Sequence, residues 1–209
     1  MMIDAETRVC AVIGNPIAHS LSPLIHNTAF REKRLNFVYV AFQVEDLRTA
    51  ITGVKALGIR GLSVTIPHKI EILKYLDEID PLALAIGSVN TVVNTQGRLK
   101  GYNSDGLGAL KALEDSGIIL NDSRVLILGS GGAARALAFT LAQDGKLASL
   151  SIFGILSDQI KGLIGDLRSK GGFQADGGLI EKEEFREKMK KADVLINCTP
   201  VGMYPQVGE

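Results

Sequence analysis

The run Arg124-Val125-Leu126-Ile127-Leu128-Gly129-Ser130-Gly131-Gly132-Ala133-Ala134-Arg135 constrains the fold more than any other segment of the chain. An apolar stretch bounded by a glycine-rich turn reads as a buried strand, and the alanine-rich stretch after the turn reads as a helix. Gly129 and Gly131 fit a G-x-G-x-x-A pattern, with Ala134 at its permissive third position. The pattern is weak by itself, and the strand before it and the helix after it supply the context it needs. Glycines at such a turn let the backbone approach a pyrophosphate, whose charge then sits at a helix N-terminus. The run therefore predicts a Rossmann-like, dinucleotide-binding α/β unit, against the plainer reading of a tight structural turn.

The rest of the second half fits that unit in part. A strand is predicted at Leu150–Phe153, a helix from Ser157 and Asp158, a helix over Glu181–Lys191 with a solvated, charge-alternating face, and a strand at Asp193–Cys198. Only about four strands can be placed after residue 123, where a doubly wound dinucleotide domain has about six. The expectation is a domain incomplete on its C-terminal side. The strand at Leu150 should end in the residue that reads the adenosine ribose, an acid for a free 2′-hydroxyl or an arginine for a 2′-phosphate. Gly154-Ile155-Leu156 stands there instead.

The first half alternates strands and helices as well. Strands are predicted at Val9–Ile13, Phe37–Val44 and Gly61–Ile66, with a helix from an N-cap at Ser22 and another over Glu45–Leu57 closed by Gly58. A helix starting at Pro67 is predicted to run to about Ile79, followed by a short helix at Asp80–Ile86. Ser88–Asn94 and Arg98–Asn103 pair as a hairpin around Thr95-Gln96-Gly97. The fold class is α/β. A mixed-sheet substrate domain (1–103) leads through a connecting helix (104–118) into the partial dinucleotide-binding domain (119–209).

Four places carry candidate chemistry. Lys69 falls in the first turn of the expected helix after Pro67, where the positive end of the dipole raises the cost of its charge. Together with partial burial, that pushes a lysine pKa toward the range useful for proton transfer; the plain alternative is a solvated surface lysine. In His19-Ser20-Leu21-Ser22-Pro23, two hydroxyls flank a helix start that attracts a small carboxylate or phosphate. An ordinary capped helix explains Ser22 and leaves Ser20 idle. Asp105, in Asn103-Ser104-Asp105-Gly106, is an N-cap or a group at the mouth of an inter-domain cleft. Asn90, a polar residue in an apolar strand, ties backbone or meets a ligand.

Composition narrows the class. Formal net charge is zero with no basic run, which argues against nucleic acid as partner. His19, His26 and His68 share no metal-ligand spacing, so no metal is expected. Cys10 and Cys198 lie far apart in strand-like segments and read as buried reduced thiols. The N-terminus has no apolar h-region and no stretch reaches the roughly 18 apolar residues of a span. A soluble, cytoplasmic protein without membrane partners is expected.

Taken together, these segments resemble the shikimate dehydrogenase family over nearly the whole chain. Gly14-Asn15-Pro16-Ile17-Ala18-His19-Ser20-Leu21-Ser22-Pro23 is similar to the family's opening motif, whose serines hold the substrate carboxylate. Val64-Thr65-Ile66-Pro67-His68-Lys69 resembles the segment with the catalytic lysine and a substrate-binding threonine, and Gly87-Ser88-Val89-Asn90-Thr91 the substrate-binding asparagine motif. Asn103-Ser104-Asp105-Gly106 resembles the segment whose aspartate partners the lysine and binds substrate. Gly129-Ser130-Gly131-Gly132-Ala133 resembles the phosphate loop, and Asn197-Cys198-Thr199-Pro200-Val201-Gly202-Met203 the late cofactor-side strand, with Thr199 and Met203 as its cofactor residues.

The resemblance implies reversible NADPH-dependent reduction of 3-dehydroshikimate to shikimate in aromatic amino-acid biosynthesis, by a monomer or homodimer. Alternatives in keeping with it are a quinate/shikimate dehydrogenase using NAD and a non-catalytic shikimate-binding remnant. Three departures from the family stand out. Ser63 replaces an asparagine, and Gly154-Ile155-Leu156 replaces Asn-Arg-Thr, with Gln159 near a second basic position. The family's last part, with a substrate-side tyrosine and glutamine, nicotinamide contacts and a closing helix, has no counterpart in this sequence.

Overall fold

A computed structural model describes residues 3–144 and 146–202. The chain divides into two compact units, Met1–Asn103 and Ser104–Glu209.

The first unit is a six-stranded mixed sheet of order β2-β1-β3-β5-β6-β4. Its strands are β1 (Arg8–Gly14), β2 (Phe37–Gln43), β3 (Gly61–Val64), β4 (Glu78–Ile79), β5 (Thr91–Thr95) and β6 (Arg98–Tyr102). β1 pairs parallel with β2 and β3, whereas β5 runs antiparallel to both β3 and β6. Helices α1 (Ser22–Glu32), α2 (Leu47–Ala56) and α3 (Pro81–Ile86) complete the unit. The main core packs Ile13, Leu62, Val64, Val92 and Leu99 of the strands against Leu47, Ile51 and Val54 of α2. Asp46 caps α2 by accepting from the Thr49 N–H, and Asp80 caps α3 by accepting from Leu82 N–H at 3.0 Å.

One expected element is not formed. From Ile66 to Ile70 the backbone makes turns, and only a 3-10 helix at Glu71–Tyr75 follows before the two-residue β4. The reason lies in where the carbonyls go. Ile66 C=O accepts from Asn15 N–H at 2.9 Å and Lys69 C=O from Val89 N–H at 2.8 Å. Both oxygens are committed to residues remote in sequence, just after β1 and just before β5, and are lost to an i→i+4 ladder.

The second unit is a four-stranded, all-parallel sheet of order β10-β7-β8-β9. It comprises β7 (Arg124–Leu128), β8 (Ser149–Gly154), β9 (Asp176–Leu179) and β10 (Val194–Asn197), with α4 (Asp105–Asp115), α5 (Gly132–Asp144), α6 (Ser157–Gly171) and α7 (Glu183–Lys191). β9, reading Asp-Gly-Gly-Leu, carries no apolar alternation and was not expected from sequence. α4 does not stand apart as a connector but packs on α5 within this unit. Its first turn also corrects the capping expectation: Ser104 occupies the N-cap without a side-chain cap bond, and Asp105 is the first helical residue.

Both cysteines are free and half-buried rather than fully buried, and loss of hydration pushes each thiol pKa up. No helix among the described residues is long and apolar enough to cross a membrane.

Candidate functional site

Within the first unit, one end of the sheet gathers most of the candidate residues. The carboxyl ends of β1 and β3 lie side by side, with Ile13 opposite Val64. Thr65 N–H donates to Ile13 C=O at 3.0 Å, and Asn15 N–H to Ile66 C=O. A Cβ at Gly14 would come within 2.5 Å of the Thr65 methyl, so only glycine lets β1 turn this close to Thr65. β5 and β6 bring one further position to the same end. Asn90 C=O accepts from Val64 N–H at 2.8 Å while Asn90 N–H donates to Tyr102 C=O at 3.0 Å. Asn90 thus precedes β5 and is half-exposed, not buried within a strand, and its Oδ1 accepts from the Thr91 hydroxyl at 2.8 Å.

Lys69 joins this row through its backbone bond to Val89. It sits in a turn, half-buried, and not at the start of an α-helix, so the dipole argument for its chemistry falls away. The turn is anchored by its neighbour: the His68 ring is 3% exposed, with Nε2 2.9 Å from the Val44 carbonyl oxygen.

The opening motif reverses the roles that the sequence suggested for its serines. Leu21 takes the N-cap position, already in helical geometry, and Ser22 is the first residue of α1. It is the Ser20 hydroxyl that accepts, from the Ser22 N–H at 3.3 Å. Both serines are half-buried at the α1 start. On β3, Ser63 accepts the Tyr39 hydroxyl proton at 2.6 Å, and the buried Tyr39 ring stacks on His26 at 4.2 Å. Burial pushes the Tyr39 phenol pKa up, against the Ser63 bond. Sequence reading missed Tyr39, whose signal was an aromatic in an apolar strand and nothing more.

In the second unit the geometry centres on Gly129, at φ +106°. Its N–H donates to Phe153 C=O at 2.7 Å, and Cys198 N–H donates to Leu128 C=O at 2.8 Å. A Cβ there would lie 3.1 Å from the Cys198 carbonyl group, so the chain leaving β7 must pass tightly between β8 and β10. Gly131 is the opposite case, with nothing within 4 Å of a Cβ. Its backbone faces open space where a phosphate can approach, at the start of α5. Gly132 and Ala133 form the first turn of α5, and Ala134, fully buried, lets the helix close on the sheet. Ser130 is buried, and its hydroxyl donates to Gln159 Oε1 of α6 at 3.2 Å. After β10, Asn197 Oδ1 accepts from the N–H and the hydroxyl of Thr199, at 2.9 and 2.6 Å, fixing that residue beside the loop. Met203 lies outside the described residues.

The strand order β9-β8-β7-β10 reverses direction between β7 and β10, and the glycine loop and Thr199 stand at that reversal. An open parallel sheet binds its ligand at this switch point. The second unit is therefore of the doubly wound, dinucleotide-binding class, and the residues present fit such a cofactor.

Comparison with known proteins narrows the class. A family model, the shikimate dehydrogenase substrate binding domain, matches residues 12–92. The shikimate dehydrogenase (NADP(+)) of Methanocaldococcus jannaschii is 46% identical over 208 residues, covering 99% of this chain and 72% of that protein. That of Methanothermobacter thermautotrophicus is 43% identical over 210 residues, covering 100% of this chain and 73% of that protein. Among solved structures, a shikimate 5-dehydrogenase from Listeria monocytogenes in complex with shikimate and NAD has a TM-score of 0.92 at 38% identity, covering 100% of this chain and 74% of that one. A shikimate dehydrogenase in complex with NADP+ has a TM-score of 0.89 at 44% identity, covering 100% and 72%. The chain belongs to the shikimate dehydrogenase family.

Proposed function

We propose that the chain catalyses the reversible NADP-dependent interconversion of shikimate and 3-dehydroshikimate. The observation that carries this reading, given the family, is the row Thr65–Lys69–Asn90. Three residue types suited to a polyhydroxylated ring, two hydrogen-bonding groups and a proton donor, come to one end of one sheet through the Val64–Asn90 and Lys69–Val89 backbone bonds.

The roles follow from the chemistry of each group. Ser20 and Ser22, at the start of α1, hold the carboxylate by donating their hydroxyl protons to it. Thr65, Asn90 and Asp105 take ring hydroxyls. Reduction of a ketone places negative charge on its oxygen, and Lys69 Nζ donates the proton that neutralises it; oxidation of the alcohol returns that proton to the lysine. Asp105, the first residue of α4, stands where the family's motif has the aspartate that partners the lysine. Gly129, Ser130, Gly131, Gly132 and Ala133 hold the cofactor's pyrophosphate, and Thr199 and Met203 complete its side of the site. When bound, the cofactor supplies or accepts the hydride.

The test is shikimate-dependent reduction of NADP+ by the parent chain and by Lys69→Ala. We expect turnover in the parent and a loss in kcat on the order of 100- to 10,000-fold in the variant, with shikimate binding retained by calorimetry. Near-parental kcat in the variant would remove Lys69 from the mechanism. No turnover in the parent under any cofactor would leave only a shikimate-binding protein.

A further inference from the structure

We infer that Gln159, held by Ser130, reads the adenosine ribose, and that the chain therefore discriminates little between cofactors with a 2′-hydroxyl and a 2′-phosphate. The inference rests on the reading of the second unit as the cofactor unit. It comes from three observations around the carboxyl end of β8.

In a doubly wound sheet the ribose next to adenine lies over the end of the strand that follows the glycine-loop helix. That strand is β8, paired directly with β7. An acid at its end grips two free hydroxyls, and an arginine nearby accommodates a phosphate. β8 ends in Gly154, and the chain continues with Ile155 and Leu156, 74% and 50% exposed. Two large apolar side chains stand in solvent where a charged one would choose the cofactor.

The cation nearest in sequence to the loop is already engaged. Arg135, one turn into α5, donates from Nη2 to Asp166 Oδ2 at 2.6 Å, and its side chain is only 17% exposed. Asp166 also pairs with Lys170 at 2.9 Å, so this acidic group on α6 balances both cations. Their charges hold the Asp166 carboxyl pKa down against its partial burial. Moving Arg135 to a phosphate would leave that carboxylate with one partner in a half-buried place.

The third observation is the bond from the Ser130 hydroxyl to Gln159 Oε1. It spans from the glycine loop to the first turn of α6, over the end of β8. With Oε1 accepting from Ser130, the Gln159 amide nitrogen keeps two donor hydrogens for a ligand. A neutral amide donates to a ribose hydroxyl oxygen or to a phosphate oxygen, and having no charge of its own it adds no Coulombic preference for the phosphate. The charges on either side, Asp158 and Lys161, are exposed and of opposite sign.

The experiment measures dissociation constants of ADP-ribose and 2′-phospho-ADP-ribose, and of NAD+ and NADP+, by calorimetry at fixed ionic strength. The proteins are the parent chain, Gln159→Lys, Arg135→Gln and Lys161→Ala. We expect the parent to favour the phosphorylated ligand by less than about tenfold. Gln159→Lys should raise that preference by at least about tenfold, an effect that shrinks with added salt because it is a charge interaction. Arg135→Gln and Lys161→Ala should leave the ratio unchanged. A parental preference above about a hundredfold would overturn the inference, as would a collapse of the ratio in either cation variant. Because the readout is binding, it is independent of turnover: a ratio near one in a protein that never oxidises shikimate would sink the catalytic proposal and leave this inference standing.

Discussion

A methyl group at Gly106 would lie 2.5 Å from the Ala136 carbonyl oxygen and 2.9 Å from Thr140 Cβ, whereas one at Gly108 would meet nothing within 4 Å. Two glycines a half-turn apart on α4 therefore predict opposite outcomes. Gly106→Ala should destabilise the second unit by about 1–3 kcal/mol, since backbone of α5 blocks the added carbon. Gly108→Ala should stabilise it by about 0.4–1 kcal/mol by restricting the unfolded chain. Urea unfolding of both variants checks the pair, and equal effects would mean that α4 does not approach α5 this closely. Asp105 is the neighbour of Gly106, so the same contact sets where its carboxylate starts from.

The serines give a second residue-scale prediction. Since Ser20 accepts from the Ser22 N–H, Ser20→Ala removes a ligand hydroxyl and the bond that shapes the α1 start at once. It should weaken shikimate binding more than Ser22→Ala does, each loss of a bond to a charged carboxylate being worth roughly 1.5–3 kcal/mol. Calorimetry showing unchanged affinity in both variants would move the carboxylate elsewhere. The sequence made both serines legible as a pair and could not order them, because which hydroxyl bonds depends on where helical geometry begins.

At the scale of elements, β10 is held to β7 at its first residues by one acid. Asp193 accepts from Arg124 backbone N–H, Nε and Nη2 at 2.8, 2.9 and 2.8 Å. These bonds hold the Asp193 carboxyl well below the usual carboxylate range. A depressed folded-state pKa means that folding favours the ionised form. The stabilisation is complete above the unfolded value near about 4 and is lost as pH falls below it toward the folded value. Asp193→Asn should therefore lower the denaturant midpoint by a constant amount between about pH 5 and 8, with the gap closing as pH drops below about 4. The pair is about half exposed, so the gap should be small and salt-sensitive. An unchanged gap at about pH 2 would assign the effect to the backbone bond, which an asparagine keeps only in part.

Legibility follows the same physics. Strands with apolar runs and helices with caps were readable, as were the hairpin at Gln96-Gly97 and the glycine loop. The helix expected after Pro67 failed because Asn15 and Val89, remote in sequence, capture its carbonyls. β4 is too short and β9 too polar and glycine-rich to carry a pattern. Candidate residues were found by motif, but their grouping depends on pairings such as Thr91 with Ser63 and with Tyr102, which no local signal announces.

For the whole molecule, the consequence of two compact units is that each has its own core, and of the proposed substrate residues only Asp105 belongs to the second unit. A ligand that binds only folded protein stabilises what it touches by about 2.7 kcal/mol at a hundred times its dissociation constant. If the proposed roles hold, shikimate and cofactor should act on different amides. Saturating shikimate should slow hydrogen exchange in β1, β3 and β5, where the loops bearing Ser20, Thr65 and Asn90 leave the sheet. Saturating NADP+ should slow it in β7, β8 and α5, around the glycine loop. The comparison is internal, since the strands of the other sheet, which carry none of the proposed residues for that ligand, serve as the control in the same sample. Shikimate protection confined to β7–β10, or NADP+ protection confined to β1–β6, would reverse the assignment of the units. Equal protection of both sheets by either ligand alone would mean that the two units open together, and that single substitutions such as Gly106→Ala are felt in both sheets.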